Sequence, residues 1–231
     1  MQAIQWIIVA VLRIMARVLL RVEISGLERL PKTGPVIVAL NHINSVDGLL
    51  LRAILPREII GWGKVELWHN PFTRIVAQSL HTIPLRRGEL DMGSVRIALQ
   101  ALDEGKLLGI APEGTRSWHG RLQNARPGLI LLALHAPGTL IQPVAIYGQE
   151  RLSQNLRRLR RTEVRVAFGQ GFYVNTNGSK ATREVRQEMI DEVMAQIASL
   201  LPAAYRGVYS DLATATDRHL RFPTGFTSNL L

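Results

Sequence analysis

Short apolar runs of strand length alternate along this chain with segments whose apolar residues recur at helical spacing, and that alternation restricts the fold more than any other feature. Val36-Ile37-Val38-Ala39-Leu40 has no polar residue and is too short for a stable helix, so it reads as a buried strand. Residues 49–55 follow as a short helix ended by Pro56. Further strands are expected over residues 58–62, 82–85, 107–110, 140–146 and 163–168. Between them, Val95, Ala98, Leu99 and Leu102 keep helical spacing before Gly105, and residues 129–134, apolar all round, read as a buried helix. Val185, Met189, Val193, Ile197 and Leu201 fall four apart on a long helix that Pro202 ends. The expected fold is α/β, with a mostly parallel or mixed central sheet covered by helices. In such folds function resides in the loops at strand ends.

These signals divide the chain into an N-terminal helix with its connection over residues 1–26, a main domain over 27–209 and a tail over 210–231. The N-terminal segment lacks the basic start and small-residue cleavage pattern of a secretory signal. Its uninterrupted apolar stretch, residues 6–12, falls far short of the ~20 residues that span a bilayer. Arg13, Arg17 and Arg21 recur every four residues, while Ile7, Val11, Ile14 and Val18 cover other parts of the helix. This predicts an amphipathic helix at a membrane interface, and with it a membrane-associated protein on the cytoplasmic face. An amphipathic helix packed on its own domain carries the same pattern.

The formal net charge is +10, which calls for an anionic partner: nucleic acid, phospholipid headgroups or phosphorylated substrates. Only four of the 28 basic residues are lysine, and guanidinium suits bidentate capture of phosphate. A GC-rich genome produces the same arginine bias with no function behind it. Aromatics at 6% and the lack of a recognised binding motif argue against nucleic acid. With no cysteine, disulfides, thiolate nucleophiles and cysteine metal sites are excluded. No other metal-ligand spacing is present, so neither a metal nor a bound cofactor is expected.

His42 directly follows the strand at 36–40 and precedes Asp47 by five residues. A carboxylate bonded to one imidazole nitrogen fixes the tautomer and leaves the other as a base, able to take a hydroxyl proton during attack on a carbonyl. A loop histidine bonded to a helix-capping aspartate has the same spacing. No Gly-x-Ser-x-Gly turn is present, which disfavours a covalent acyl-enzyme. Pro112-Glu113-Gly114-Thr115-Arg116-Ser117 follows another buried strand and offers backbone amides and a guanidinium for a phosphate, or else a solvated polar turn. Arg86-Arg87 after a third strand, with Lys64 nearby in sequence, are further anion-binding candidates or a basic surface turn.

Together, Asn41-His42-x4-Asp47, Lys64-x-Glu66-Leu67 with Ile83-Pro84-x-x-Arg87, Pro112-Glu113-Gly114-Thr115-Arg116-Ser117 and Ile141-x-Pro143-Val144-Ala145-Ile146 resemble, in order and spacing, the four motifs of the lysophospholipid/glycerol-phosphate acyltransferase family. The resemblance covers residues 27–209. It implies an O-acyltransferase resembling the 1-acylglycerol-3-phosphate acyltransferases, in which His42 is the general base and Asp47 orients it. It also implies that Arg87 and Arg116 bind the acceptor's phosphate, with Lys64 assisting and Glu113, Gly114 and Thr115 in the same phosphate-binding group. The implied partners are a lysophospholipid acceptor, acyl-CoA or acyl-carrier protein as donor, and an anionic phospholipid membrane. Other lyso-lipids, glycerol 3-phosphate, or a non-catalytic basic lipid-binding role remain as alternatives. Ala111, Arg86 and Asn44 depart from the usual Phe, Asp and Ser of that pattern, which bears on the acceptor more than on the reaction.

Overall fold

The computed structural model describes residues 2–85, 92–176, 178 and 180–230. A seven-stranded sheet forms the centre, in the order β1-β7-β6-β2-β5-β3-β4. Its strands are β1 (Leu20–Ser25), β2 (Val36–Leu40), β3 (Ile59–Lys64), β4 (Ile83–Leu85), β5 (Leu107–Ile110), β6 (Leu140–Tyr147) and β7 (Thr162–Phe168). All neighbouring pairs are parallel except β6–β7. The sheet is therefore mixed, and the α/β expectation holds.

β2 shows why its sequence is apolar throughout. Val36, Val38 and Leu40 face one hydrophobic layer, and Ile37 and Ala39 face the other. A central parallel strand is covered on both sides, so the two-residue period leaves no position for water. One layer packs under α2 (Asp47–Ile54) and α1 (Gln2–Leu19), with α3 (Pro71–Ser79) beside α1. The opposite layer packs under α4 (Met92–Asp103), α5 (Gly128–His135) and α7 (Arg183–Ser199). Each strand read from the sequence is present within two residues of its expected ends. α3 and the short α6 (Leu152–Arg157) are additional elements. α3 carries the start signals of its type: Asn70 accepts hydrogen bonds from the backbone N–H groups of Phe72 and Thr73, and Pro71 opens the helix.

Two sequence expectations need correction. Helix α1 stops at Leu19, so Arg21 does not continue an arginine stripe with Arg13 and Arg17. Residues 20–25 instead pair with β7, residue by residue from Leu20–Thr162 to Ser25–Ala167. The connection within residues 1–26 is thus a strand of the main sheet. Arg13, though exposed, donates Nε to the Ala53 carbonyl of α2 at 3.1 Å. The second correction concerns the tail expected over residues 210–231. Its described residues, 210–230, pack on the domain: β9 (Leu220–Arg221) pairs with β8 (Tyr173–Val174), and Phe222 meets Phe172 edge-on. Buried Glu192 and Gln196 on α7 hold this segment. Glu192 accepts from the backbone N–H groups of Arg218 and His219, and Gln196 accepts from Asn229.

Candidate active site

β6, β2, β5, β3 and β4 run in one direction, so their carboxyl ends share one edge of the sheet. That edge collects the motif residues. β2 leads into His42, β5 into Glu113–Arg116, and β3 ends at Lys64. Arg86 and Arg87, which follow β4 in sequence, lie outside the described residues.

His42 Nδ1 donates to Asp47 Oδ2 at 2.9 Å. The same oxygen accepts the backbone N–H groups of Ile43 at 3.0 Å and Asn44 at 2.9 Å. Asp47 opens α2 and is fully buried, whereas the His42 side chain keeps 25% of its surface exposed. Oδ2 already accepts two backbone N–H groups and an ionised carboxylate only accepts, so the Nδ1–Oδ2 contact requires the imidazole proton on Nδ1. Nε2 is left as the basic atom, with no hydrogen-bond partner among the described residues.

The loop after β5 clamps the His42 loop. Glu113 Oε1 accepts from the His42 backbone N–H at 3.0 Å, and Ser117 donates its N–H to the His42 carbonyl at 2.7 Å. Arg116 Nη1 donates to Ser45 Oγ at 2.6 Å. Its guanidinium also lies 4.9 Å from the centroid of the exposed Trp118 ring, a cation–π contact. Gly114, at φ +67°, closes a tight turn with its N–H on the Ala111 carbonyl, a conformation that suits glycine. Thr115 is exposed on this turn, and Lys64 is exposed at the end of β3.

Glu113, grouped by resemblance with the phosphate-binding residues, is 4% exposed. Its second oxygen accepts the Gln123 backbone N–H at 3.0 Å. Both oxygens are thus engaged by backbone, and the residue acts by positioning the His42 loop. Burial pushes its carboxyl above the ordinary value near 4.5, against the backbone hydrogen bonds that favour the carboxylate. The folded protein therefore holds this proton to higher pH than the unfolded chain does. The stabilising contribution is complete below pH 4.5 and declines as pH rises through the raised folded-state value. Relative to Glu113→Gln, which cannot titrate there, the native protein is expected to lose stability across that window. A difference in thermal midpoint that does not vary with pH would contradict this.

Two residues outside the sequence-derived site complete it. Asn41 bridges β2 to β6, donating Nδ2 to the Ile146 carbonyl at 2.8 Å and accepting the Ile146 N–H at 2.7 Å. Gln149, fully buried, donates Nε2 to Asp47 Oδ1 at 3.1 Å, and its carbonyl accepts Asn44 Nδ2 at 3.1 Å. In sequence Gln149 reads as one polar residue of a turn, Gly148-Gln149-Glu150, and nothing local marks it. Gln149→Leu strands one oxygen of a buried carboxylate, which costs about 1–3 kcal/mol. A lower thermal midpoint and a reduced kcat, with little change in KM, are the expected outcome. An unchanged kcat would show that Oδ1 needs no donor.

Two other histidines also have carboxylate partners. His81 Nδ1 lies 2.5 Å from Glu58 Oε1, and His219 Nε2 lies 3.4 Å from Glu188 Oε2. Neither joins the site: His81 precedes β4 at the opposite edge, and His219 belongs to the C-terminal segment. Among the described residues, no group of three or more histidine, aspartate or glutamate side chains is placed to hold a metal ion.

A buried aspartate orienting a histidine at the carboxyl edge of an α/β sheet defines a site for general-base chemistry, here with cationic side chains alongside. Residues 21–147, more than half of the chain, match the family model described as Acyltransferase, and the chain belongs to that family. It is 31% identical over 130 residues to a 1-acyl-sn-glycerol-3-phosphate acyltransferase of Borreliella burgdorferi, covering 55% of this chain and 52% of the relative. A Bacillus subtilis protein of the same name is 31% identical over 97 residues, covering 42% and 49%. The chain spans about half the length of these curated relatives. The crystal structure of the 1-acyl-sn-glycerophosphate acyltransferase of Thermotoga maritima shares the fold, with a TM-score of 0.62 over 85% of this chain and 80% of that one, at 21% identity.

Proposed function

We propose that this protein transfers a fatty acyl chain from a thioester donor, acyl-CoA or acyl-carrier protein, to the free hydroxyl of a lysophospholipid at a membrane surface. The acceptor we propose is 1-acyl-sn-glycerol-3-phosphate, and the product phosphatidic acid. The observation that carries the reading is the dyad, with Nδ1 of His42 held by buried Asp47 and Nε2 left as a base on an exposed edge. Nε2 takes the hydroxyl proton as the acceptor oxygen attacks the thioester carbonyl. The C–S bond then breaks, and the leaving thiolate takes the proton from the imidazolium. Asp47 stabilises the imidazolium while it exists. Arg116, three residues beyond the Glu113 clamp, bonds within the same loop as His42 and supplies a guanidinium for the acceptor's phosphate. Lys64, and by resemblance Arg87, add positive charge. The names of the curated relatives support the choice of acceptor.

The membrane part of the reading rests on the outer surface of α1. Trp6, Ile7, Val11, Ile14 and Val18 are exposed there, Trp6 by 71%, and Phe72 and Ile75 on neighbouring α3 are exposed by 75% and 51%. Apolar surface of this extent suits insertion into a headgroup layer. Among the described residues no helix is long and apolar enough to cross a membrane. The test is turnover by the purified protein with lysophosphatidate, a neutral lyso-lipid and glycerol 3-phosphate, each paired with acyl-CoA and acyl-carrier protein. The highest kcat/KM is expected with lysophosphatidate. No turnover with any pair would overturn the enzymatic reading, and preference for glycerol 3-phosphate would overturn the acceptor.

A further inference from the structure

The end of α6 and the loop from it to β7 read Arg157-Arg158-Leu159-Arg160-Arg161, and the chemistry above makes no use of them. Leu159 is 96% exposed and sits at φ +52°, in the left-handed region that side-chain-bearing residues rarely adopt. Asparagine or glycine would suit both that backbone and the surrounding water better. A leucine held out in this way is favourable only where its surroundings are apolar. Arg157, Arg158 and Arg160 flank it, all exposed, and their guanidinium groups have no partner among the described residues.

The loop's position gives these features a direction. β7 runs antiparallel to β6 with Arg165 opposite Tyr147, so β7 begins at the edge where β6 ends and Gln149 meets Asp47. Arg161 donates Nη2 to the Arg17 carbonyl at 2.6 Å and Nε to the Leu20 carbonyl at 3.1 Å. It thereby ties the loop to the end of α1, where Ile14 and Val18 are exposed. The loop is thus fixed beside the end of α1 at the catalytic edge and brings exposed positive charge there.

We propose that this loop is a second membrane contact, in which Leu159 enters the boundary between headgroups and acyl chains of an anionic bilayer while Arg157, Arg158 and Arg160 bind lipid phosphates. The contact turns the His42 edge toward the bilayer that holds the acceptor; it rests on the membrane reading proposed above and adds a site and a charge preference to it. An acidic soluble protein would engage the arginines, but it gives no reason for a leucine at the tip.

The chain contains no cysteine, so Leu159→Cys creates one thiol for an environment-sensitive dye. Vesicles of phosphatidylcholine with about one-third phosphatidylglycerol are expected to shift the dye emission to the blue, and pure phosphatidylcholine vesicles to shift it far less. No shift on anionic vesicles with which the protein floats would overturn the proposal. So would a shift produced by an acidic carrier protein and not by vesicles. The triple variant Leu159→Asn/Arg158→Gln/Arg160→Gln relieves the backbone and leaves Arg161 in place, so it should fold with an equal or higher thermal midpoint. Its flotation with anionic vesicles is expected to fall by roughly tenfold or more, while acyl transfer to a monomeric short-chain acceptor is unchanged. Flotation equal to that of the native protein, or equal loss of turnover on the monomeric acceptor, would overturn the proposal. If no acceptor is turned over by the native protein, the enzymatic reading fails, and the dye and flotation results still decide this one.

Discussion

His42→Ala is expected to lower kcat by roughly a thousandfold, the scale of a positioned general base, while the thermal midpoint changes little. The imidazole is partly exposed, and the loop that carries it is held by main-chain contacts: the His42 N–H on Glu113 and the His42 carbonyl under the Ser117 N–H. Those contacts survive the substitution. Binding of the acceptor, for which Arg116 is proposed, should change less than kcat. A purified variant with native turnover would remove His42 from the chemistry. Steady-state kinetics beside a thermal melt separates this from misfolding.

Asp47→Asn should cost roughly 10²- to 10⁴-fold in kcat with the fold retained. The local hydrogen bonds explain why a neutral isostere folds. The Asn oxygen can take the Oδ2 position, facing the N–H groups of Ile43 and Asn44. Its amide nitrogen then faces Gln149, whose buried Oε1 has no partner among the described residues and becomes an acceptor once the Gln149 amide turns over. What the variant lacks is negative charge beside the imidazolium that forms during proton transfer. Full activity in Asp47→Asn would show that the tautomer alone suffices. Asp47→Ala, by contrast, leaves the Ile43 and Asn44 N–H groups unpaired and should destabilise as well.

Much of this fold could be read from consecutive residues. The all-apolar run at β2 predicts a strand covered on both faces, and β2 is that strand. The four-residue spacing predicts the buried side of α7, where Met189, Val193 and Ile197 are buried and Val185 partly so; Leu201, also buried, lies just past the helix end at Ser199. β1 was not legible in this way. Its Leu20-Arg21-Val22-Glu23-Ile24-Ser25 follows an apolar helix without a break, and its charged side chains stay in solvent beside Glu163 and Arg165 of β7, a partner 142 residues away in sequence that no local pattern announces. The C-terminal segment was illegible for a similar reason. Its anchors are the buried side chains Glu192 and Gln196, which on α7 look like an ordinary polar face.

The sequence alone determined the alternating strands and helices, and it placed His42, Asp47, Glu113 and Arg116 just beyond strand ends. Burial period and turn residues are local properties of a chain, and so is the five-residue reach from His42 to Asp47. Only the tertiary structure decided which groups face which. It turned Glu113 onto the main chain of the His42 loop, brought Gln149 to the far oxygen of Asp47, and set the Leu159 loop against the end of α1. Each of these contacts joins residues about 70 or more positions apart, 71 for Glu113, 102 for Gln149 and 144 for Arg161. Strand order and direction set which of them meet, and no local pattern carries that information.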